Sequence, residues 1–388
     1  MVQAVATASL VAALVYLAAF AAIAVLLALR FAARGGAARG DRQSFLASRF
    51  SIPVSLVVPV TGGAPWRDAA DTIAALVDLN YPAFEVIAVA DDLPASAWDA
   101  FRQEWGLEAR EIFFRLSLDT APIRMMYRSA HDPRLIVVHK TAGSPADALN
   151  CGVNLARFRY VCAVEPGLVF DRDALLRAMT GPIEDPARIV GATSHVEIRG
   201  GFVQRLHSIR SLMDSRLVWR HLQAALGPRE AVVVWRRDAV EHAGGFDNVW
   251  DPHLDLMVRL QTAMAADAAG QVVRTAEVFG YRRPRTALDH LRHTVRRQQA
   301  ALRALASLRR VDASTRTMIA YFFASEVVTP CTQAWVIVAT TASAAWGWLP
   351  WIDFGAAVLL LAAGRASIGA AARLVRGVTL PFEAPGAA

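Results

Sequence analysis

Short runs of β-branched and other apolar residues alternate with stretches of helical periodicity in the first half of the chain. Runs of this length predict buried strands of a mainly parallel sheet, and the intervening helices are expected to cover its faces. The predicted strands are Val54–Val60, Phe84–Ala90, Leu135–His139 and Tyr160–Val164. The predicted helices between them are Pro65–Leu79, Pro94–Trp105 and Ala146–Phe158. The pattern therefore predicts an α/β domain.

The second half of the chain is more helical. Its predicted helices are Phe202–Leu226, Asp255–Ala269 and Leu288–Leu308, and one further strand is predicted near Ala231–Trp235. The segment Leu107–Ser129 is predicted to be an insertion into the α/β domain, without an assigned structure.

A long apolar segment begins the chain. No charged residue occurs from Met1 to Leu29, and the apolar core Ala4–Leu29 exceeds the roughly 20 residues that a bilayer-spanning helix needs. A cleaved signal peptide begins with basic residues, whereas here Arg30 and Arg34 follow the apolar run. The sequence therefore predicts an uncleaved membrane anchor with the N-terminus outside and the following residues in the cytoplasm.

The C-terminal region is apolar again. Two more spans are predicted near Val327–Trp348 and Phe354–Ala372, after an interfacial helix at Met318–Glu326. A buried apolar helix pair is the alternative. The preferred interpretation is a multi-pass protein of a bacterial-type inner membrane. Its predicted parts are a transmembrane anchor (1–32), a linker (33–50), a cytoplasmic domain (51–316), an interfacial helix with two transmembrane helices (317–375) and a tail (376–388).

The composition agrees with membrane segments. Apolar residues make up 55% of the chain and charged residues only 19%, against about 25% in ordinary soluble domains. The net charge of +7 is carried by arginine, because Lys140 is the only lysine. The basic residues are spread along the chain, which argues against nucleic-acid binding. The cysteines Cys151, Cys162 and Cys331 have no metal-binding or disulfide spacing, so they fit a reducing compartment.

Polar residues collect where the predicted parallel strands end. Thr61 and Gly62 follow the first strand, Asp91 and Asp92 the second, Lys140 the third and Glu165 the fourth. Because ligands of open α/β sheets bind beyond the carboxyl ends of the strands, these positions predict a binding site at one edge of the sheet.

Several segments, in their order along the chain, resemble the motifs of one enzyme family. They are Val54–Val60; Leu79–Pro82 with Phe84–Asp92, similar to "LxYPxxEVIVVDD"; Ala146–Gly152, similar to "KADALNxG" but with Pro145 in place of the lysine; and Gly244–Asp247 with Asp255–Leu260, similar to "GGFD…DLxxRL". The chain resembles in these segments the processive, membrane-bound family 2 glycosyltransferases, which include cellulose, hyaluronan and poly-N-acetylglucosamine synthases. The resemblance implies a GT-A-like (Rossmann-like) mixed-sheet domain flanked by transmembrane helices.

The resemblance also implies roles for the strand-end carboxylates. Sugar transfer needs side chains that bind the nucleotide, positive charge that stabilises the leaving diphosphate, and a base that accepts the proton of the acceptor hydroxyl. By resemblance, Asp91 and Asp92 contact the uracil and ribose of a UDP-sugar, and Asp147 makes a second nucleotide contact. Solvated loop carboxylates are the alternative for all three.

The cation site departs from the family pattern. The family's "DxD" follows its fourth strand, where this chain has Glu165, Pro166 and Gly167. Glu165 is a candidate for a contact to ribose or to a divalent cation, Mg²⁺ or Mn²⁺, but Gly167 offers no carboxylate oxygen. The alternative is that Glu165 has only a structural role.

The segment for the base departs as well. The family's "ED" precedes its "DL", whereas here Pro252 and His253 precede Asp255. His253 or the nearby Asp251 is therefore the candidate base, with Asp255 beside them in the catalytic group. Helix capping is the alternative for Asp251 and His253.

The "QxxRW" segment is altered too. By resemblance, Arg296, Arg297 and Gln298 are the candidates for contacts to the diphosphate and the acceptor, but the tryptophan is missing. A basic amphipathic helix that lies on anionic lipid is the alternative.

The sequence thus predicts a divergent glycosyltransferase that moves a sugar from a nucleotide sugar to a lipid-linked or polysaccharide acceptor at the membrane. The three altered motifs also support a second hypothesis, a catalytically inactive relative that serves as a subunit of an envelope-polysaccharide complex. A lipid-surface scaffold that binds no nucleotide is the third hypothesis.

Overall fold

A mixed β-sheet forms the centre of the protein, as seen in a computed structural model of the 388-residue chain. The structure describes residues 2–34, 51–61, 66–198, 232–249, 251–267, 271–282 and 313–347, together with the single helical positions 295, 298, 299, 302, 303, 305, 306 and 359.

The sheet has ten strands. In chain order they are β1 (Val54–Thr61), β2 (Phe84–Asp91), β3 (Leu107–Ala109), β4 (Ile123–Ser129), β5 (Leu135–Lys140), β6 (Tyr160–Val164), β7 (Leu168–Phe170), β8 (Ile189–Ile198), β9 (Val232–Arg236) and β10 (Gln271–Arg282). They lie in the order β3-β4-β5-β2-β1-β6-β9-β8-β10-β7. The neighbours β5, β2, β1 and β6 are parallel, as are β8 and β10, and the remaining pairs are antiparallel.

The helices cover the two faces of the sheet and extend beyond it. They are α1 (Val2–Arg34), α2 (Trp66–Val77), α3 (Ala95–Glu104), α4 (Pro145–Leu155), α5 (Ala174–Glu184), α6 (Arg237–His242), α7 (Pro252–Asp267), α8 (Ala313–Phe323) and α9 (Thr329–Ala345), with a π-helical turn at Ala324–Val328. Helix α4 begins at two start signals in the sequence. The Ser144 side chain accepts a hydrogen bond from the Asp147 N–H (3.1 Å) and so caps the helix, and Pro145 lies in the first turn.

The sequence predictions are confirmed for the four central strands, for β9, and for α2, α3, α4 and α7. The strands β3 and β7 have three residues each and are too short to show a period. The predicted insertion Leu107–Ser129 contains β3 and β4, which extend the sheet at one end. β4 lies near that end and carries arginines between its apolar residues, so it lacks the apolar run of a central strand.

Two of the predicted helices lie beyond what the structure describes. Phe202–Leu226 falls entirely outside the described residues, and Leu288–Leu308 is represented only by isolated helical positions.

Two hydrophobic cores lie on the two faces of the sheet. Val57 of β1 belongs to the core under α4 and α7, whereas its neighbours Leu56 and Val58 belong to the core under α2, α3 and α5. This alternation is that of a strand buried on both faces, which explains why the central strands are continuous apolar runs.

A buried carboxylate fastens the amino ends of the central strands, opposite the predicted binding site. Glu85 is fully buried and accepts hydrogen bonds from Ser55 Oγ (2.7 Å), from the backbone N–H of Arg157 (2.9 Å) and from Arg157 Nε (2.6 Å). The N–H of Phe158 donates to Ser55 Oγ (3.3 Å). The cluster therefore joins β1, β2 and the loop after α4.

Replacing Glu85 by alanine is expected to lower the free energy of unfolding by about 3 kcal/mol, because the buried Ser55 hydroxyl and two N–H groups of Arg157 lose their acceptor. Urea unfolding followed by circular dichroism measures this loss. The exposed pair Glu108–Arg110 provides the matched control, since Glu108→Ala is expected to cost less than about 1 kcal/mol. Equal losses in the two variants would contradict the assignment.

The N-terminal helix packs against the C-terminal helices. Tyr16 Oη donates to the Ala324 carbonyl (3.4 Å), and the rings of Phe20 and Tyr321 stack with centroids 5.7 Å apart. Ile319 of α8 is fully buried in the core formed with α4 and α7. This contact ties α8 to the sheet.

Across the described ranges, no helix is long and apolar enough to cross a membrane. The predicted multi-pass location in an inner membrane is therefore wrong. The predicted span Val327–Trp348 contains helix α9, Thr329–Ala345. The predicted N-terminal span lies in α1, whose Leu10 and Ala13 pack against Val336 of α9. The predicted span Phe354–Ala372 lies outside the described residues except for position 359.

Candidate functional site

Parallel strands bring several predicted polar positions to one edge of the sheet. Asp91 ends β2 and is paired in register with Lys140, the last residue of β5. Glu165 directly follows β6, on the other side of β1. The structure therefore brings together at this edge positions that lie far apart in the sequence.

Lys140 is the centre of a buried charged cluster. Its side chain is fully buried, and its Nζ forms an ion pair with Asp147 and lies 3.5 Å from Asp91 Oδ1. Nζ also donates to the Thr141 carbonyl (3.1 Å). A charged group buried without partners is costly, so the ammonium and the two carboxylates stabilise one another.

Backbone donors complete the contacts of the two carboxylates. The N–H of Gly143 donates to Asp91 Oδ1 (2.8 Å), and the N–H of Ala121 donates to Asp147 Oδ1 (2.8 Å). A β-carbon at Gly143 would collide with the Asp147 carboxylate and the Lys140 ammonium, so a larger residue there would displace the charged cluster. Asp91 and Asp147, both predicted to contact a nucleotide, are thus held in fixed positions by contacts within the chain.

Asp92 differs from its neighbour Asp91. It is exposed and has a φ of +50°, a left-handed conformation that is uncommon outside glycine and is often kept at functional sites.

The ring of His139, near Asp92, stacks on Trp98, with centroids 4.2 Å apart and 18° between the planes. Burial and the charge of Arg124 lower the pKa of His139, and the negative charge of Asp92 opposes that shift. Asp92 therefore lies within electrostatic reach of a neutral imidazole.

Two asparagines of α4 hold distant loops beside the site. Asn150 accepts a hydrogen bond from the Phe246 N–H (2.7 Å) and donates to the Phe246 carbonyl (2.9 Å). Asn154 accepts from the N–H groups of Ser117 and Leu118 (3.0 Å each) and donates to the Leu118 carbonyl (2.8 Å). The segment that resembles "KADALNxG" is therefore a fastening point for two loops.

An arginine holds the double-glycine turn before α7. Gly244 and Gly245 have φ values of +81° and +82°. Arg259 donates to the carbonyls of Ala243 and Gly245 and pairs with Asp255 (2.7 Å). Asp255, which was predicted to belong to the catalytic group, has a partner in Arg259 and through it supports this turn.

His253 lies near two carboxylates. Burial lowers the pKa of His253, while the charges of Asp251 and Glu165 have the smaller, opposite effect. Its Nδ1 is buried without a hydrogen-bond partner among the described residues, and its ring meets Phe246 edge-on with centroids 5.2 Å apart. Asp251 Oδ1 accepts from the Leu254 N–H (3.0 Å), so Asp251 caps α7. The structure therefore places a neutral imidazole near Glu165.

The residues after β6 do not fit a divalent cation. Gly167 turns with a φ of +85°, and its N–H donates to Thr72 Oγ1 (2.9 Å). In the part of the chain that the structure describes, no group of three or more His, Cys, Asp or Glu side chains is placed to hold a metal ion. Within the described ranges, Glu165 therefore has no set of companion carboxylate ligands of the kind that Mg²⁺ or Mn²⁺ prefers.

The predicted diphosphate and acceptor segment is only partly described. Arg296 and Arg297 lie outside the described residues, and Gln298 is helical and half-buried. Their roles stay predictions.

The sequence does not single out His139 and Trp98 as site residues. The available signal is the polar pair His139 and Lys140 at the end of an otherwise apolar strand. The stacking partner of His139 is Trp98 on α3, which is about 40 residues earlier in the chain, and no local pattern links the two rings.

No protein-family model and no curated protein matches the chain by sequence. Among solved structures, the chain is similar to the mannosyltransferase PcManGT from Pyrobaculum calidifontis in complex with GDP-Man and Mn²⁺. The TM-score is 0.61 and the identity 15%, over 94% of this chain and 98% of that chain. S. aureus TarS 1-349 in complex with UDP-GlcNAc gives a TM-score of 0.45 and 13% identity, over 84% of this chain and 91% of that chain. The similarity to PcManGT shows that the fold is that of a GT-A-like glycosyltransferase.

Proposed function

We propose that the chain transfers a sugar from a nucleotide sugar to an acceptor hydroxyl. The observation that carries this proposal is the buried His253 Nδ1 without a partner among the described residues, near Glu165 at the sheet edge where Asp91 ends β2 and Asp92 follows it. The GT-A-like fold supports it, because this edge is where open α/β sheets bind ligands. The sequence resemblance to family 2 glycosyltransferases supports the same class of donor.

The donor is proposed to bind beside Asp92. The exposed Asp92 carboxylate can accept hydrogen bonds from a base or ribose, and the His139 ring offers an aromatic face for stacking. Lys140 offsets the charges of Asp91 and Asp147. The ammonium therefore reduces the repulsion that two carboxylates would exert on an anionic diphosphate.

The transfer step is proposed to use His253 as the base. The acceptor oxygen attacks the anomeric carbon of the donor sugar, and the bond from that carbon to the diphosphate oxygen breaks with its electron pair leaving on the diphosphate. The proton of the acceptor hydroxyl goes to His253, whose neutral form is available because burial lowers its pKa.

Nucleoside-diphosphate release from a panel of UDP- and GDP-sugars tests the proposal, with and without Mn²⁺ or a chelator. Asp92→Ala is expected to weaken nucleotide binding about 10- to 100-fold, because a hydrogen bond to a charged group contributes about 1.5–3 kcal/mol. Asp99→Ala, on the exposed side of α3, is the matched control and is expected to behave as wild type. Equal nucleotide affinity in the two variants would contradict the donor site.

One observation favours a second candidate function, an inactive nucleotide-binding subunit. Gly167 stands where the resemblance predicts the second carboxylate of a cation site. Nucleotide binding that depends on Asp92, without release from any sugar of the panel and with the acceptor present, would support this second function over transfer.

A further inference from the structure

Residues 110–122 form the loop between β3 and β4, which is here called the edge loop. The second half of this loop is held in place by a buried leucine and by hydrogen bonds. Leu118 is buried in the core beside α4, and its N–H donates to Asn154 (3.0 Å). The Ala121 N–H donates to Asp147, which is paired with Lys140. The carbonyl of Pro122 accepts from the Thr141 N–H (3.0 Å), directly after β5. The edge loop therefore ends against the candidate donor site.

The first half of the edge loop exposes large apolar side chains. The exposed fraction is 99% for Phe113, 67% for Leu116 and 38% for Phe114, and it is 45% for Met125 on the adjacent strand β4. Among the described residues from 51 to 282, these four are the large hydrophobic side chains with high exposure. Burying one such side chain is worth about 1.5–3 kcal/mol. Their grouping on one surface therefore indicates a binding surface rather than scattered exposure.

A groove runs between the edge loop and β4. Its volume of about 590 Å³ is in the range of small-molecule sites. Its walls are mainly apolar, and Arg110, Arg124 and Glu111 are the charged residues that line it. Arg110 forms an ion pair with Glu108 (2.7 Å), whereas Arg124 lies close enough to His139 to lower the pKa of that imidazole. One end of the groove therefore carries a guanidinium close to the candidate donor site.

We propose that this groove binds the acceptor, and that the acceptor carries a hydrocarbon chain joined to a phosphate group. The apolar walls with Phe113 and Met125 suit the chain, and Arg124 suits the phosphate because a guanidinium donates a planar pair of hydrogen bonds. A sugar linked to that phosphate would then extend past Ala121 toward Asp147 and the donor. This inference rests on the proposed sugar transfer and names its acceptor class, a lipid-linked sugar.

Binding of octyl phosphate, below the concentration at which it forms micelles, tests the groove by calorimetry on the full chain. Octanol and inorganic phosphate serve as the two half-probes. The wild type is expected to bind octyl phosphate at least about 10-fold more tightly than either half-probe, since both parts of the groove contribute about 1.4 kcal/mol or more.

Two variants separate the two parts of the groove. Phe113→Ser is expected to weaken octyl phosphate binding at least about fivefold, and because Phe113 is fully exposed the fold stays intact. Arg124→Gln is expected to weaken the binding of octyl phosphate but to leave the binding of octanol unchanged. The matched control is Ile337→Ser, an exposed apolar position on α9, which is expected to bind as wild type.

The result that overturns the inference is wild-type octyl phosphate binding in Phe113→Ser, or no binding by the wild type. Nucleotide binding to Asp92→Ala is measured in parallel. If Phe113→Ser loses octyl phosphate binding while the wild type binds no nucleotide, the groove is supported as a binding site and the sugar transfer is rejected. Nucleotide binding that depends on Asp92, with octyl phosphate unaffected by Phe113→Ser, would reject the groove alone.

Discussion

Replacing His253 by glutamine is expected to lower turnover about 10²- to 10⁴-fold while nucleotide affinity stays close to that of the wild type. Glutamine keeps much of the size of the ring and its polar character but cannot take up the proton of the acceptor hydroxyl. The effect should appear in kcat rather than in KM, because a base acts in the transition state and not in donor binding. Steady-state kinetics with the sugar donor that releases the most nucleoside diphosphate measures the change.

The pH dependence of the wild type follows from the same imidazole. Burial lowers the pKa of His253 below its ordinary value of 6.5, so the base form is present at pH 7 and is lost only as the pH falls below 6.5. We expect kcat to be flat near neutrality and to fall on the acid side of that value. His253 also contributes stability that is present above pH 6.5 and is lost as the pH falls toward the lowered pKa, because the unfolded chain binds the proton more tightly.

Two neighbouring acids serve as controls for His253. Asp251→Asn keeps an oxygen that can accept the Leu254 N–H, so the cap of α7 is retained and turnover is expected to fall much less than in His253→Gln. Asp255→Asn loosens Arg259 and is expected to lower stability more than kcat. A loss of kcat in Asp251→Asn as large as that in His253→Gln would assign the base to Asp251 instead.

Replacing Lys140 by methionine is expected to lower the free energy of unfolding by about 3–5 kcal/mol. Methionine fills similar volume, but Asp91 and Asp147 then keep their negative charges in a place with little water and without the buried ammonium. The two carboxylates also repel each other once the positive charge between them is removed. Urea unfolding followed by tryptophan fluorescence measures the loss.

A double variant distinguishes the lost charge from lost packing. Lys140→Met with Asp147→Asn removes one of the two carboxylate charges, so it should regain part of the stability lost in Lys140→Met alone. If packing alone stabilised this place, the second substitution would add a further loss. A cost below about 1 kcal/mol for Lys140→Met would contradict the buried ion cluster.

The central strands could be predicted from sequence because their burial is local information. A parallel strand covered on both faces is an uninterrupted apolar run, as in β1 and β2. The edge strand β3 and its neighbour β4 do not carry that pattern, since β3 has an unpaired edge and several side chains of both strands are exposed. The predicted insertion Leu107–Ser129 therefore concealed both strands.

The apolar ends of the chain led to the wrong location for a related reason. A run of apolar residues shows that side chains leave water, but it does not show what they contact. Here Leu10 and Ala13 of α1 contact Val336 of α9. The neighbour of an apolar surface is decided by tertiary packing.

The sequence by itself determined the order of the central strands along the chain and the placement of Asp91, Lys140 and Glu165 at their ends, because the period and length of each strand depend on adjacent residues. Only the tertiary structure decided the partners of the charged side chains. It joined Lys140 to Asp91 and Asp147, gave Asp255 to Arg259, and buried His253 near Glu165. The physical reason is that an ion pair or a pKa shift depends on distance and burial in space, and those contacts join strands and loops that the chain connects only through long intervening segments.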